Sequence, residues 1–237
     1  LVRALVNKGY HVVILDNLSP QIHVSAETAK NKFSDLGSHV TFIVGDVTCR
    51  DDLVKSLQGV TSVVHLAAET GTGQSMYAIK HYTDVNVGGT ALLLDVIANE
   101  NMPVKKLVVA SSRAVYGEGK YQCKNHGTVF PGVRDEKALE KGKFEHSCPY
   151  CGTVLTPVPT DEFSSLMPAS VYGVTKLTQE QLVLSVGASL GISAIAFRYQ
   201  NVYGAGQSLS NPYTGILSMF STRLRNGKSF NIFEDGF

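Results

Sequence analysis

The feature that most constrains this chain is a series of short, continuous apolar runs separated by segments of helical period. His11 to Asp16, Val40 to Val44, Val60 to Ala68, Lys106 to Ser111 and Ser193 to Arg198 each read as a strand. Their apolar residues run on without the alternation of a half-exposed strand, which is the pattern of a parallel sheet covered on both faces. Between them, Leu1 to Val6, Asp51 to Leu57, Ser75 to Asn99 and Ala169 to Leu190 carry apolar residues at helical spacing. Gly9, Gly59 and Gly191 supply stops, and a break is expected near Asn86 to Gly89. Residues 17–38 read as polar and irregular. Strands alternating with helices build a doubly wound parallel sheet, a Rossmann-like α/β fold that binds ligands at the carboxyl edge of its strands.

Composition removes several alternatives. The 237 residues carry 21 Lys plus Arg against 20 Asp plus Glu, a net charge of +1, without the basic excess of a nucleic-acid binder. No run approaches the roughly 20 apolar residues of a membrane span. Four cysteines are too few for a disulfide scaffold, so a cytoplasmic location is expected. The chain opens in a helix, whereas such a sheet opens with a strand. The sequence therefore predicts residues 1–117 as a nucleotide-binding unit lacking its first strand and glycine loop. Residues 118–160, rich in charge, proline and cysteine, break the pattern and read as an insertion. Residues 161–204 return to the main unit.

Candidate site residues collect at strand ends. Asp16 can accept both hydroxyls of an adenosine ribose, which favours NAD over NADP, or it can form an ordinary Asx turn. Asp46, in Gly45-Asp46-Val47, can accept from an adenine amino group or cap a helix. Ala67 and Ala68 are small enough to let a cofactor near the backbone. Tyr172 and Lys176 form Tyr-x-x-x-Lys, which places both on one helix face. A phenol of pKa ~10 becomes a useful base if a nearby ammonium and a cationic nicotinamide lower it; otherwise the two are plain helix residues. Ser112, in Ser111-Ser112-Arg113-Ala114-Val115-Tyr116-Gly117, can hydrogen-bond the same substrate oxygen. Asn201 can bind substrate or cap a turn. His65, on an apolar strand, reads as a hydrogen-bonded core residue.

The order of these motifs resembles the extended short-chain dehydrogenase/reductase family, the nucleotide-sugar epimerases and dehydratases. The order runs from Asp16 through Gly45-Asp46-Val47, His65-Leu66-Ala67-Ala68, Asn86-Val87-Gly88-Gly89-Thr90 and Ser-Ser-x-x-Val-Tyr-Gly to Tyr-x-x-x-Lys and Arg-Tyr-x-Asn-Val-Tyr-Gly. The resemblance implies that Asp16 binds the adenosine ribose, Asp46 and Val47 hold the adenine, Ala67 and Ala68 line the cofactor path, and Asn86 supports the helix and cofactor. It makes Ser112 and Tyr172 the catalytic pair, Lys176 the holder of the nicotinamide ribose, and Asn201 a substrate contact. Dehydratases of the family carry an Asp-Glu pair after the catalytic Ser/Thr. Arg113 and Ala114 stand there in this chain, which leaves NAD-dependent 4-epimerisation of a nucleotide sugar, an isomerase activity, as the implied reaction. The segments Ala68 to Met76 and Gln200 to Tyr213 resemble bacterial epimerases acting on dTDP-L-rhamnose. UDP-glucose, UDP-glucuronate or a non-catalytic NAD-binding scaffold are the alternatives. The resemblance also implies that residues 205–237 begin an incomplete C-terminal substrate domain, and it implies a homodimer through residues 75–99 and 169–190.

The insertion carries Cys123-x-x-His126 and Cys148-x-x-Cys151, two knuckles about 20 residues apart, a spacing typical of structural zinc. A disulfide or free thiols are the other readings, and Cys49 stands apart from them.

Overall fold

The computed structural model describes residues 1–23, 25–207 and 215–232. In chain order the elements are α1 (Val2–Val6), β1 (Val12–Asp16), α2 (Ala26–Asn31), a 3-10 segment over Ser34–His39, β2 (Val40–Val44), α3 (Arg50–Leu57) and β3 (Ser62–His65). There follow α4 (Thr72–Ser75), α5 (Ile79–Tyr82), a π-helical turn over Thr83–Gly88, α6 (Gly89–Asn99) and β4 (Lys106–Ser112). A 3-10 turn, Arg113–Tyr116, leads into β5 (Tyr121–Cys123), β6 (Gly127–Val129), α7 (Glu136–Leu139) and β7 (Thr156–Pro157). The chain then runs through α8 (Val171–Leu190), β8 (Ser193–Tyr199) and α9 (Ile216–Arg225).

The main strands are parallel, as their apolar runs predict. β1 pairs with β2, and β4 lies between β3 and β8. Among the described residues no strand joins β1 to β3, so the sheet stands in two pieces. Leu107 and Val109 of β4 are fully buried against Leu93, Leu94 and Ile97 of α6 and Val183 of α8, with Leu53 and Leu57 of α3 completing the core. Each such side chain contributes roughly 1.5–3 kcal/mol of burial. The opposite sheet face is more open than the sequence pattern predicts. Ile195, Phe197 and Tyr199 of β8 alternate outward and are 41–47% exposed.

Local chemistry explains the element boundaries. Ser170 caps α8 by accepting from Gly173 N at 3.1 Å, and Gly191, at φ 66°, ends it in the left-handed conformation that glycine adopts without strain. The expected long helix 75–99 is instead α4, a break at Met76 to Ala78, and then a continuous path whose ladder widens to π form over Thr83–Gly88. The third strand is shorter than its apolar run because its pairing with β4 stops at His65. α2 lies inside the stretch read as irregular. The insertion is a small sheet of its own, ordered β6-β5-β7 and antiparallel.

Leu107→Ala removes a side chain with no solvent contact from the middle of the sheet. It is expected to cost about 2–5 kcal/mol in denaturant unfolding; a loss below about 1 kcal/mol would show that the core is not centred on β4.

Candidate active site

The site is built where β4 ends and α8 begins. Ser112 closes β4 and caps the turn after it, its Oγ accepting from Ala114 N at 3.2 Å. Gly173, in the first turn of α8, lets the helix approach that turn. A Cβ on Gly173 would lie 2.7 Å from the Ala114 carbonyl oxygen, a separation that real Cβ atoms do not adopt. The approach brings Tyr172 beside Ser112, whose hydroxyl favours the phenolate. Ser75 of α4 fixes the Tyr172 backbone, accepting from its N–H at 3.0 Å while donating to Thr72 O at 2.6 Å. Lys176 follows one turn later on the same helix face, only 3% exposed.

Electrostatics at this junction are dominated by burial. Burial pushes the Tyr172 phenol up, outweighing the Ser112 hydroxyl and the Arg113 charge, both of which favour the phenolate. Burial also pushes the Lys176 ammonium down to about 8. The expected lowering of Tyr172 by a neighbouring lysine is therefore not what this chain shows by itself. The cation that acts on Tyr172 is Arg113, from the turn. Arg113 Nε also reaches Asn201 Oδ1, at 3.4 Å.

Behind Lys176 lies a buried polar network that the sequence did not reveal as a unit. Thr90 Oγ1 donates to Asn86 O at 2.6 Å, which commits its only proton. It accepts from Gln179 Nε2 at 2.7 Å and lies 2.9 Å from His65 Nε2, which is also 3.4 Å from Gln179 Nε2. Burial first, and then the Lys176 charge, push the His65 pKa down to about 4. Asn86, in the π-helical turn, accepts from Glu69 N at 2.7 Å and donates to Glu69 O at 3.1 Å and Thr175 Oγ1 at 3.0 Å. It thereby holds the loop after β3 to α8. Thr90 stood in the Asn86-Val87-Gly88-Gly89-Thr90 motif without a partner in view, and nothing in the sequence singled out Gln179.

The remaining candidates line the carboxyl edge. Asp16 ends β1, with Oδ1 accepting from Leu18 N at 2.8 Å and lying 3.5 Å from His23 Nε2; its side chain is 41% exposed, open to an outside donor. Asp46 accepts from Asn17 Nδ2 at 3.0 Å and from Thr48 N at 2.8 Å. Against the opposing effect of burial, these and the Thr48 hydroxyl hold its carboxyl below the usual range. Val47 packs against Gly89 and the core. Ala67 and Ala68 are half-buried, and Asn201 is exposed. The structure thus brings Ser112, Tyr172 and Lys176 together, and sets Asp16 and Asp46 at the ends of neighbouring strands. The segment Ser208 to Tyr213, part of the resemblance, lies outside the described residues.

In the insertion, the ligand atoms of Cys123, His126, Cys148 and Cys151 all lie within 4.8 Å of one another. Cys123 Sγ is 3.6 Å from His126 Nδ1 and 3.7 Å from Cys151 Sγ, and Cys148 Sγ is 3.7 Å from His126 Nδ1. A zinc tetrahedron with bonds of ~2.3 Å to sulfur and ~2.0–2.1 Å to nitrogen has edges of about 3.8 Å and 3.6 Å, so the four residues fit that metal. No disulfide joins them, and Cys49 is also free.

With the geometry in place, the chain is identified by comparison. It belongs to the NAD dependent epimerase/dehydratase family, which matches residues 1–237. It is 38% identical, over 98% of its length and 62% of the relative's, to dTDP-L-rhamnose 4-epimerase of Burkholderia thailandensis. A solved structure of UDP-glucuronic acid 4-epimerase from Bacillus cereus, in complex with UDP-glucuronic acid and NAD, superposes with a TM-score of 0.73 at 26% identity. That match covers 99% of this chain and 62% of the other. A UDP-N-acetylglucosamine 4-epimerase from Methanobrevibacter ruminantium superposes with a TM-score of 0.68 at 27% identity, over 96% of this chain and 59% of the other. The chain spans about three-fifths of the length of these relatives. Among the described residues no helix is long and apolar enough to cross a membrane.

The depressed His65 pKa makes a stability prediction. The unfolded chain takes up a proton near pH 6.5, whereas the folded chain resists it until about 4. Stability from the neutral imidazole is therefore complete above pH 6.5 and falls by about 3 kcal/mol as the pH drops to 4. Denaturant unfolding of His65→Gln should lack that component, so its stability curve converges on the wild-type curve in acid. Parallel curves would refute the assignment.

Proposed function

We propose that this protein is an NAD-dependent 4-epimerase of a nucleotide sugar, with dTDP-L-rhamnose as the substrate. The observation that carries the reading is the close approach of α8 to the turn after β4 at Gly173, which sets Tyr172 beside Ser112 at the carboxyl edge of β4, with Lys176 one turn on. The identity to the Burkholderia thailandensis enzyme supports the sugar. NAD, when bound, supplies the acceptor and donor of hydride at C4 of the sugar. Tyr172 takes the proton of the 4-hydroxyl and later returns it, and Ser112 holds the same oxygen. Lys176, buried and cationic in its protonated form, holds the nicotinamide ribose. Asp16 takes the adenosine ribose, and Asp46, with Val47 beside it, takes the adenine. Ala67, Ala68 and Asn86 shape the cofactor path, and Asn201 meets the sugar. Arg113 and Ala114 leave no carboxyl after Ser112 to eliminate water across the ring.

Residues 1–117 and 161–204 form one cofactor-binding unit in this reading. The edges of β1 and β3 that face no described strand are where we place its first strand and glycine loop. Residues 205–237 begin the sugar-binding part. Exposed Met76, Tyr77 and Ile79, with Val174 and Leu184 of α8, support a homodimer through residues 75–99 and 169–190. The free cysteines suit the cytoplasm. The Bacillus cereus structure supports UDP-glucuronate as the second sugar to test.

The test is to incubate the protein separately with dTDP-L-rhamnose, UDP-glucose and UDP-glucuronate and follow the H4 and anomeric protons by NMR. A new 4-epimer from dTDP-L-rhamnose is expected, and one from a UDP-sugar alone would move the substrate. No epimer from any sugar, with NAD added, would overturn the reaction.

Zinc at Cys123, His126, Cys148 and Cys151 is a structural part of the same reading, supported by the gathering of the four ligand atoms within 4.8 Å of one another. The insertion core is only Val129, Leu155 and two of the thiols, packed by Tyr121, too little to order the segment without metal. Native mass spectrometry should find one zinc per chain, and Cys148→Ser should lose it and lower the melting temperature. Metal-free protein of unchanged stability would refute the site.

A further inference from the structure

Tyr172, Lys176 and Glu180 follow one another at four-residue intervals on α8, so Glu180 is the carboxylate one turn beyond Lys176. Glu180 is buried, yet it does not serve the lysine. Its two oxygens are taken by Arg198 of β8, with Nη2 at 2.6 Å from Oε1 and Nε at 3.1 Å from both, while Ser111 Oγ donates to Oε2 at 2.7 Å. The same guanidinium donates to Tyr116 OH at 3.0 Å and to Glu162 O at 2.9 Å, and stands 5.1 Å from the centre of the Tyr116 ring. One arginine thus ties α8, the end of β4, the turn after Ser112 and the chain leaving the insertion.

We propose that Arg198 is a positioning residue with two effects: it locks the Ser112 strand to the Tyr172 helix, and it withholds the Glu180 carboxylate from the Lys176 amine. The proposal rests on the reading of Lys176 as a site residue. The other charged groups on elements packed against α8 are engaged elsewhere. Asp84 of the π-helical turn pairs with Lys80, His81 of α5 with Glu69, and Asp95 of α6 with Arg50. Lys106 is exposed at the far end of β4, Arg113 acts on Tyr172, and His65 is neutral beside Lys176. Glu180 is therefore the carboxylate that Arg198 controls. An opposite charge at helix-neighbour distance raises an amine's pKa by about one unit or more.

The test is an NMR titration of Lys176 Cε in protein carrying [13C]lysine, assigned by Lys176→Met and recorded without substrate. Wild type is expected to titrate near 8. Arg198→Gln, which frees Glu180, should move the titration up by about one unit. The double variant Arg198→Gln/Glu180→Gln should bring it back. Arg198→Gln with an unmoved titration would overturn the proposal. Should that variant not fold, Glu180→Gln alone decides: the titration should stay in place, and a fall would show that Glu180 already acts on Lys176. Because no turnover is measured, a protein inactive on every sugar still decides the question, and failure of the epimerase reading is seen separately in the sugar assay.

Discussion

The close contact between the end of β4 and the start of α8 is the constraint on which the site depends. Two features make it. Glycine at position 173 permits the helix to come within reach of the Ala114 carbonyl, and the Ser111–Glu180–Arg198 chain ties strand and helix deeper down. A side chain at 173 would force the helix away, and with it Tyr172 from Ser112. The core beneath, centred on Leu107 and Val109, supplies the rigidity that makes such spacing reproducible.

Burial sets the chemistry at this contact. Tyr172, Lys176 and His65 are all pushed toward their neutral forms, because desolvation exceeds what neighbouring charges return. In the resting chain the phenol keeps its proton, and the lysine, although lowered to about 8, stays mostly protonated at neutral pH. A bound cationic nicotinamide would shift that balance toward the phenolate, so proton transfer would be coupled to an occupied cofactor site. Arg113, on the exposed side, adds a standing bias in the same direction.

The strands were legible because short continuous apolar runs between helical segments mark a parallel sheet, and β2 matches its expected limits, Val40 to Val44. Tyr172 and Lys176 were legible because four-residue spacing needs only a helix. What was hidden depends on partners far away in the chain. Thr90 acquires meaning from His65, 25 residues earlier, and Gln179 from a threonine 89 residues away. Arg198 stood inside a motif, but its hold on Glu180 and Tyr116 required the packed sheet. The π-helical turn around Asn86 leaves no mark beyond a suspected break. α2 was missed because it is short and its cap at Ser25 sits in an otherwise polar stretch. The Cys and His spacing of the insertion, by contrast, already implied the cluster that the fold assembles.

We propose Tyr172, beside Ser112 and one turn before Lys176, as the group that moves the proton. The most direct measurement compares wild type with Tyr172→Phe for both NAD affinity and epimerisation. The account predicts that turnover falls by about 10²–10⁴-fold or more while NAD affinity stays within a few-fold. Turnover within about tenfold of wild type, with NAD still bound, would contradict it.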